Sequence, residues 1–233
     1  MRKYKFKFLA KKIFYFLLII IIFYPNYVLS EKKITKYKIQ GEKNFLHDYD
    51  SINLDGSINV VVEIPAGGNE KWKVSKIDGS LEWEFSNNSY RKIKYLPYIA
   101  NYGFVPKTLY SKELSGDGDP VDVILLGKRH ERGSIIKSKV LGVIIMKGHG
   151  EMDEKVIAIP QESEIFFSKN LKSIDDLNKN YPGVTNIIEM WFKNYKRNEQ
   201  TEIIGYKSSL EAINLINKSN KPYETLRGYW LNR

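Results

Sequence analysis

The chain has 233 residues, of which 42% are hydrophobic, and it carries a formal net charge of +10. This size and composition suit one domain with a substantial core, and the absence of cysteine excludes disulfide bonds and lipoprotein attachment. The first thirty residues hold six of the 37 Lys and Arg residues and no acid, which leaves 31 bases, 27 acids and a net charge of +4. Most of the positive net charge therefore lies in the N-terminal segment, and it is weak evidence for nucleic-acid binding.

The N-terminus has the layout of an export signal. A basic segment precedes the apolar run Ile13 to Tyr24, which Pro25 ends, and Val28 and Ser30 suit a cleavage site. About a dozen apolar residues are too few for a comfortable membrane span, which needs roughly 20. We interpret residues 1–30 as a signal peptide, with an uncleaved N-terminal anchor as the alternative. Either interpretation places the domain outside the cytoplasm, in the periplasm or the medium.

Residues 31–50 are polar and mixed in charge, and we expect them to form a loose lead-in. From Ser57 onward the pattern is typical of strands, and Asp78-Gly79 is typical of a hairpin turn. Apolar runs and period-two alternation predict six strands, over INVVVEIPAG (58–67), KWKVSKI (71–77), LEWEF (81–85), VDVILLG (121–127), SIIKSKVLGVIIM (134–146) and KVIAIP (155–160). Short strands separated by turn signals favour a closed barrel over a βαβ sheet.

The last third of the chain changes to helical spacing. Ser173, followed by two acids, predicts a helix start. Residues 186–196 place apolar side chains at helical intervals, and residues 208–218 fit a third helix. We find no internal repeat, and we predict one domain over residues 51–220 followed by a C-terminal tail over 221–233.

The stretch GDGDPVD (116–122) places Asp117, Asp119 and Asp122 within six residues. Its glycines and proline indicate a bend, which can fold the three carboxylates toward one point. At about 4 Å such charges repel by several kcal/mol at intermediate dielectric, and hard divalent cations neutralise them through oxygen ligands. A solvated acidic turn is the alternative. A calcium-binding EF-hand is disfavoured because Lys128 stands where that motif needs a glutamate.

The motif GDGDPVDV resembles the signature of the soluble, family I inorganic pyrophosphatases. Other stretches agree in order: VVEIPAG with a lysine eight residues after its glutamate, YLPYIANYGFVPKTL, LGVIIM, GEMDEKVIAIP, YPG and EMWFKNYK. The resemblance covers roughly residues 45–220. It implies an α+β fold, an OB-like five-stranded closed β-barrel with flanking helices. It also implies a homo-oligomer that hydrolyses pyrophosphate to two phosphates with Mg²⁺, for which Mn²⁺, Co²⁺ or Zn²⁺ are possible substitutes.

The resemblance also implies roles for individual residues. Asp119 would be the general base beside the attacking water. The divalent cations would be held by four carboxylates: Asp117, Asp122, Asp153 and Glu63. The phosphates would be bound by six donors: Lys71, Arg91, Tyr102, Lys155, Tyr195 and Lys196. Taken singly, each has an ordinary structural explanation as a surface charge or a packed ring. Lys92 and Lys94 are alternatives to Arg91, because the loop before YLPY varies in length.

Two positions depart from the family pattern. Lys73 stands two residues after Lys71, where the family usually has an acid. Gly148 stands five residues before Asp153, where the family has an aspartate that holds metals entering with the substrate. His149 is either an exposed loop residue or a ligand for ions softer than Mg²⁺.

These departures leave more than one function open. The first hypothesis is an exported pyrophosphatase with an altered rate or metal preference. The second is a catalytically weakened member that binds phosphate or polyphosphate without rapid turnover, and the third is a hydrolase for another phosphoanhydride. Nucleic-acid binding is disfavoured because single strands need stacked aromatic side chains on an open face, whereas acids occupy this motif. We expect contact with a membrane only through an uncleaved leader.

Overall fold

A computed structural model of the chain describes residues 33–148, 151–162, 171–196 and 201–231. The predicted signal peptide and His149 lie outside the described residues. All described residues fall within the compact unit Lys32–Arg233. In the parts of the chain that are described, no helix combines the length and apolar character that a membrane crossing requires.

Strands dominate the first two thirds of the described chain and helices the last third. The strands are β1 (Lys33–Ile34), β2 (Lys38–Gln40), β3 (Ile58–Ile64), β4 (Trp72–Val74), β5 (Leu81–Trp83), β6 (Phe85–Ser86), β7 (Ser89–Tyr90), β8 (Asn101–Phe104), β9 (Asp122–Leu125), β10 (Ile135–Gly148), β11 (Glu151–Met152), β12 (Lys155–Pro160) and β13 (Glu202–Ser208). The helices are α1 (Ile174–Asn180), α2 (Val184–Asn194) and α3 (Ser209–Leu231), with a 3₁₀ turn at Lys112–Leu114. The prediction of an α+β fold with a mostly sheet core is confirmed.

The main sheet is held together by a circuit of strand pairings. β3 pairs with β8, β8 with β9, β9 with β12, β12 with β10, and β10 with β3. Only the β9–β12 pairing in this circuit is parallel. The 14-residue β10 also pairs with β13 and β11. A smaller sheet has the strand order β1-β2-β5-β4 and contains the predicted hairpin.

All six predicted strands are present, and so are the three predicted helices. The helix start at Ser173 is confirmed, because its Oγ accepts a hydrogen bond from the backbone N–H of Asp176 at 3.0 Å. Strand β8 was not predicted, since Asn and Gly disfavour strands. Its Gly103 is required because a Cβ there would lie 1.9 Å from the backbone oxygen of Val61 on the paired strand.

Two boundary expectations need correction. The lead-in over residues 31–50 is not loose, since β2 pairs with β5 and Phe45 and Leu46 are only 2% and 1% exposed. The helix predicted to end near 218 continues to Leu231, through the segment expected to be a tail. Tyr223 anchors this extension, because it is fully buried and its hydroxyl lies 2.7 Å from a ring nitrogen of His47. A few apolar side chains in mostly polar segments order both regions.

Candidate active site

The parallel pairing of β9 and β12 places Asp122 opposite Lys155. Lys155 is only 3% exposed, and its Nζ lies 2.6 Å from both Asp122 Oδ2 and Asp153 Oδ1. Burial by itself would lower the pKa of Lys155, but the two carboxylates outweigh burial and hold that pKa well above its usual value. One buried ammonium group therefore joins two carboxylates, from β9 and from the residues before β12.

Glu63 lies near the end of β3, at an irregularity in the sheet, and belongs to the same region. The register between β3 and β8 shifts between Val62 and Ile64, and Val61 and Ile64 consequently pack into the same core cluster. The Glu63 side chain is 4% exposed, and its Oε1 accepts a hydrogen bond from the Val74 N–H at 2.7 Å. Burial raises the pKa of Glu63 to about 8. This carboxyl group is therefore mostly protonated at neutral pH when no cation is bound.

Two buried tyrosines of the core lie beside these charges. Tyr102 on β8 is 4% exposed, and the Nζ atoms of Lys71 and Lys155 lie 4.8 Å and 5.4 Å from the centre of its ring. Tyr98 packs beside it with ring centres 5.1 Å apart. Burial raises the pKa of Tyr98 to about 12 and that of Tyr102 well above its usual value. Both phenols therefore remain neutral hydrogen-bond donors.

The acidic loop, residues 116–121, is held to Tyr110 by backbone hydrogen bonds. The N–H of Gly118 donates to the Tyr110 carbonyl, and the N–H of Tyr110 donates to the Asp119 carbonyl, both at 2.8 Å. The N–H of Asp119 donates to Asp117 Oδ1 at 2.9 Å. The side chains of Asp117 and Asp119 are exposed. The surrounding protein still removes part of the hydration of Asp117, and this effect, with the charge of Asp122, raises its pKa.

The end of α2 adds a ring and a cation. Tyr195 stacks on Trp191 with ring centres 4.7 Å apart and an interplanar angle of 12°. The Lys196 Nζ lies 5.7 Å from the centre of the Tyr195 ring. Burial would raise the pKa of Asp153, but Lys155 and then Lys196 lower it below its usual value. Tyr195 and Lys196 thus lie at the edge of one charge cluster, formed by Glu63, Lys71, Asp122, Asp153 and Lys155.

Arg91 differs from the other predicted phosphate donors. Its guanidinium group donates to both carboxylate oxygens of Glu84, at 3.1 and 3.2 Å. Its backbone carbonyl accepts a hydrogen bond from the Lys71 N–H at 3.0 Å, so the Arg91 backbone lies beside that of Lys71. The alternative Lys92 lies 5.5 Å from the centre of the Trp83 ring. In the described contacts, neither the Arg91 guanidinium nor the Lys92 ammonium group reaches the carboxylates.

Sequence reasoning missed two residues that shape the site. Lys76, in the turn between β4 and β5, has its Nζ 2.6 Å from Asp119 Oδ1. The hydroxyl of Tyr110 donates to Glu154 at 3.0 Å, in addition to the backbone contacts that hold the acidic loop. No pattern in the sequence marks either residue, because both depend on contacts between distant segments.

The available donors suit a hard divalent cation, since Asp117, Asp122 and Asp153 offer only carboxylate oxygens. Among the described residues, no group of three or more acidic, His or Cys side chains is already arranged around a common ion position. Two of these acids, Asp122 and Asp153, are bridged by the ammonium group of Lys155. At Gly148 a Cβ would meet no atom within 4 Å, so a side chain has room there.

We predict that the pH dependence of stability reports on Glu63. Between its ordinary pKa of 4.5 and its folded value of about 8, the folded state binds a proton that the unfolded state has lost. In EDTA, the free energy of unfolding should therefore fall as pH rises through this window, by at most about 1.4 kcal/mol per pH unit from this group. Urea unfolding of wild type and Glu63→Gln from pH 5 to 8 checks this, because the variant should show a shallower decline. Equal slopes would contradict it.

Comparison with known proteins identifies the family. A family model described as inorganic pyrophosphatase matches residues 60–224. The inorganic pyrophosphatase of Helicobacter pylori is 34% identical over 184 residues, which cover 76% of this chain and 94% of that protein. That of Campylobacter jejuni is 32% identical over 177 residues, which cover 74% of this chain and 95% of that protein.

The fold agrees with this match. The solved structure of inorganic pyrophosphatase from Schistosoma japonicum superposes with a TM-score of 0.75 at 28% identity, and covers 84% of this chain and 75% of that one. The family model spans the acidic loop, Lys155 and the end of α2, and so includes most of the charge cluster. The chain therefore belongs to the inorganic pyrophosphatase family.

Proposed function

We infer that this chain is an inorganic diphosphatase, which hydrolyses pyrophosphate to two phosphates. The observation that carries this conclusion is the buried Lys155 between Asp122 and Asp153, beside an exposed acidic loop, in a chain that matches the pyrophosphatase family over most of its length. Pyrophosphate carries several negative charges, and its hydrolysis needs cations, donors and a base in one place. The comparisons favour hydrolysis over phosphate binding without turnover.

We propose Mg²⁺ as the cofactor, with Mn²⁺, Co²⁺ or Zn²⁺ as possible substitutes. The ligands would be Asp117, Asp122 and Asp153, with Glu63 toward the substrate. The chemistry of this all-oxygen donor set supports a hard cation. When bound, divalent cations supply charge neutralisation for the pyrophosphate and acidify a water molecule. Glu63 has to release its proton for this role, because its pKa of about 8 otherwise keeps it mostly neutral.

Asp119 is proposed as the general base. Its carboxylate lies on the exposed loop, where water has access, while the loop backbone is held by Tyr110. The water oxygen bonds to one phosphorus as Asp119 takes the proton. The bond from that phosphorus to the bridging oxygen breaks, and the bridging oxygen leaves with the electron pair on the second phosphate.

The phosphate oxygens would be held by both charged and neutral hydrogen-bond donors. Lys71 and Lys155 bring positive charge, and Tyr102 adds a hydroxyl donor whose raised pKa keeps it protonated. Tyr195 and Lys196 would contribute from the end of α2. Arg91 would join them only if its guanidinium leaves Glu84, with which it forms a partly buried ion pair.

We further propose that β3, β8, β9, β12 and β10 close as an OB-like five-stranded barrel. The circuit of pairings, in which β10 returns to β3, supports this arrangement. We also propose a homo-oligomer, for which sedimentation velocity would report the mass. Ile187 and Met190 on the exposed side of α2, 57% and 62% exposed, supply apolar surface for it.

We predict that phosphate release from pyrophosphate requires Asp119. The Asp119→Asn variant should lose at least about 100-fold in kcat, because general bases contribute that much or more. Phosphate release should be measured with Mg²⁺, Mn²⁺, Co²⁺ and Zn²⁺ in parallel. Fast release by the wild type only with a transition metal would contradict Mg²⁺ as the cofactor. Absence of release with every metal would overturn the function.

We predict that restoring the family's acids raises Mg²⁺-dependent activity. At Gly148 an added Cβ meets no atom within 4 Å, and Lys73 is exposed on β4. The double variant Gly148→Asp with Lys73→Glu should therefore fold normally and turn over faster at limiting Mg²⁺. Gly148→Asn with Lys73→Gln is the matched control, which adds similar volume without negative charge. Equal rates in both double variants would show that the missing charges are tolerated.

We propose export of this enzyme, supported by the basic and apolar layout of the N-terminus. If the leader is a cleaved signal peptide, the mature chain should begin near Glu31. Mass spectrometry of the intact protein from the native cell, after fractionation, checks this prediction. A cytoplasmic protein that still begins at Met1 would contradict export, and a membrane-bound chain that retains its leader would support the anchor instead.

A further inference from the structure

Lys76 belongs to the turn between β4 and β5, and none of the roles proposed above includes it. Its Nζ lies 2.6 Å from Asp119 Oδ1 and also donates a hydrogen bond to the carbonyl of Gly118. These two acceptors are a side chain and the backbone of adjacent residues. One ammonium group therefore ties the β4–β5 turn to the acidic loop, more than forty residues further along the chain.

The Asp119 carboxylate is in contact with Lys76, and its other restraints act on the backbone of the loop. Tyr110 fixes the backbone of the loop, and the Asp119 N–H is bound to Asp117. The Asp119 side chain is itself 57% exposed, and the terminal torsion of an aspartate has broad preferences. Lys76 is the partner that the described ion pairs give to this carboxylate. Loss of Lys76 would also remove the contact to the Gly118 carbonyl, but the Tyr110 hydrogen bonds would still hold the loop backbone while the carboxylate turns more freely.

The turn that carries Lys76 is anchored at a second site residue. Val74, two residues earlier, donates its N–H to Glu63 Oε1 at 2.7 Å. Two backbone hydrogen bonds close the turn. The N–H of Ser75 donates to the Ser80 carbonyl at 2.7 Å, and the N–H of Gly79 donates to the Ser75 carbonyl at 2.8 Å. The β4–β5 hairpin thus contacts both Glu63, through Val74, and Asp119, through Lys76.

An ion pair this exposed contributes little to stability. The Lys76 side chain is 39% exposed and that of Asp119 is 57% exposed, so solvent screens their attraction. Geometry matters far more for a base, which must lie within hydrogen-bonding reach of the proton it removes. The contact is therefore better suited to orienting Asp119 than to holding the fold together.

We propose that Lys76 is a positioning residue for the hydrolysis reaction. It holds the Asp119 carboxylate in the orientation that receives a proton from the attacking water. This inference rests on the proposed role of Asp119 as the general base. It assigns Lys76 no contact with pyrophosphate, so its loss should affect the rate of turnover rather than substrate affinity.

The test compares three variants of the full chain with wild type. Lys76→Met removes the ammonium group but keeps the length of the side chain, and Lys76→Arg restores a positive donor. Lys137→Met is the control, because it removes a lysine that lies 2.9 Å from Asp55 and is 50% exposed, in the part of β10 that pairs with β3. Each protein is assayed for kcat and KM with pyrophosphate at saturating Mg²⁺, and for the midpoint of urea unfolding.

Lys76→Met should lower kcat by about tenfold or more, since misplacing a catalytic group by about 1 Å costs up to about 100-fold. Its KM should stay within about threefold of wild type, because uniform binding is unaffected. Lys76→Arg should recover most of the lost kcat, and Lys137→Met should match wild type. The midpoint of urea unfolding should be the same for all four proteins.

Other outcomes would overturn the proposal in recognisable ways. Wild-type kcat in Lys76→Met would show that Asp119 is oriented without Lys76. A loss of kcat that accompanies a lower unfolding midpoint, without rescue by Lys76→Arg, would make Lys76 a structural residue only. Asp119→Asn, assayed alongside, separates these results from failure of the proposed function. If Asp119→Asn is as active as wild type, the base assignment fails first, and so does the role of Lys76.

Discussion

The interaction on which the site depends is the buried ammonium group of Lys155 between Asp122 and Asp153. Removing a charge from water costs several kcal/mol, and a buried pair is favourable only when its geometry and hydrogen bonds compensate. Two oxygens at 2.6 Å provide that compensation here. The arrangement follows from the parallel register of β9 and β12, because a slip by one residue would send one of the partners to the other face.

The charges of this triplet affect the protonation of the neighbouring side chains. Burial, and then the negative charge of Asp122, raises the pKa of Glu63 to about 8. The carboxyl group therefore keeps its proton until a cation or another positive charge replaces it. Tyr102 offers a donor without adding charge. The site thus combines lysines, carboxylates and neutral phenols at nearly balanced charge. For the proposed hydrolysis of pyrophosphate, such a site would contribute mainly position and electrostatics.

Lys73 and Gly148 are the two positions at which the family resemblance implies an acid. Lys73 is exposed on β4, and Gly148 ends β10 with open space at its missing Cβ. Neither residue supports the core, so each can change without disturbing the Lys155 triplet. Relative to the implied acids, both residues make the local charge more positive.

The sequence by itself predicted six of the described strands, the three helices and a set of candidate site residues. Alternation and apolar runs are local signals, and the order of motifs around GDGDPVD needed no coordinates. Only the tertiary structure showed that Lys76 pairs with Asp119, that Tyr110 holds the acidic loop and that Arg91 pairs with Glu84. It likewise decided that Phe45, Leu46 and Tyr223 join the core from segments expected to be loose. The physical reason is that these contacts join residues far apart in the chain, and local pattern carries no information about which distant partner a side chain will meet.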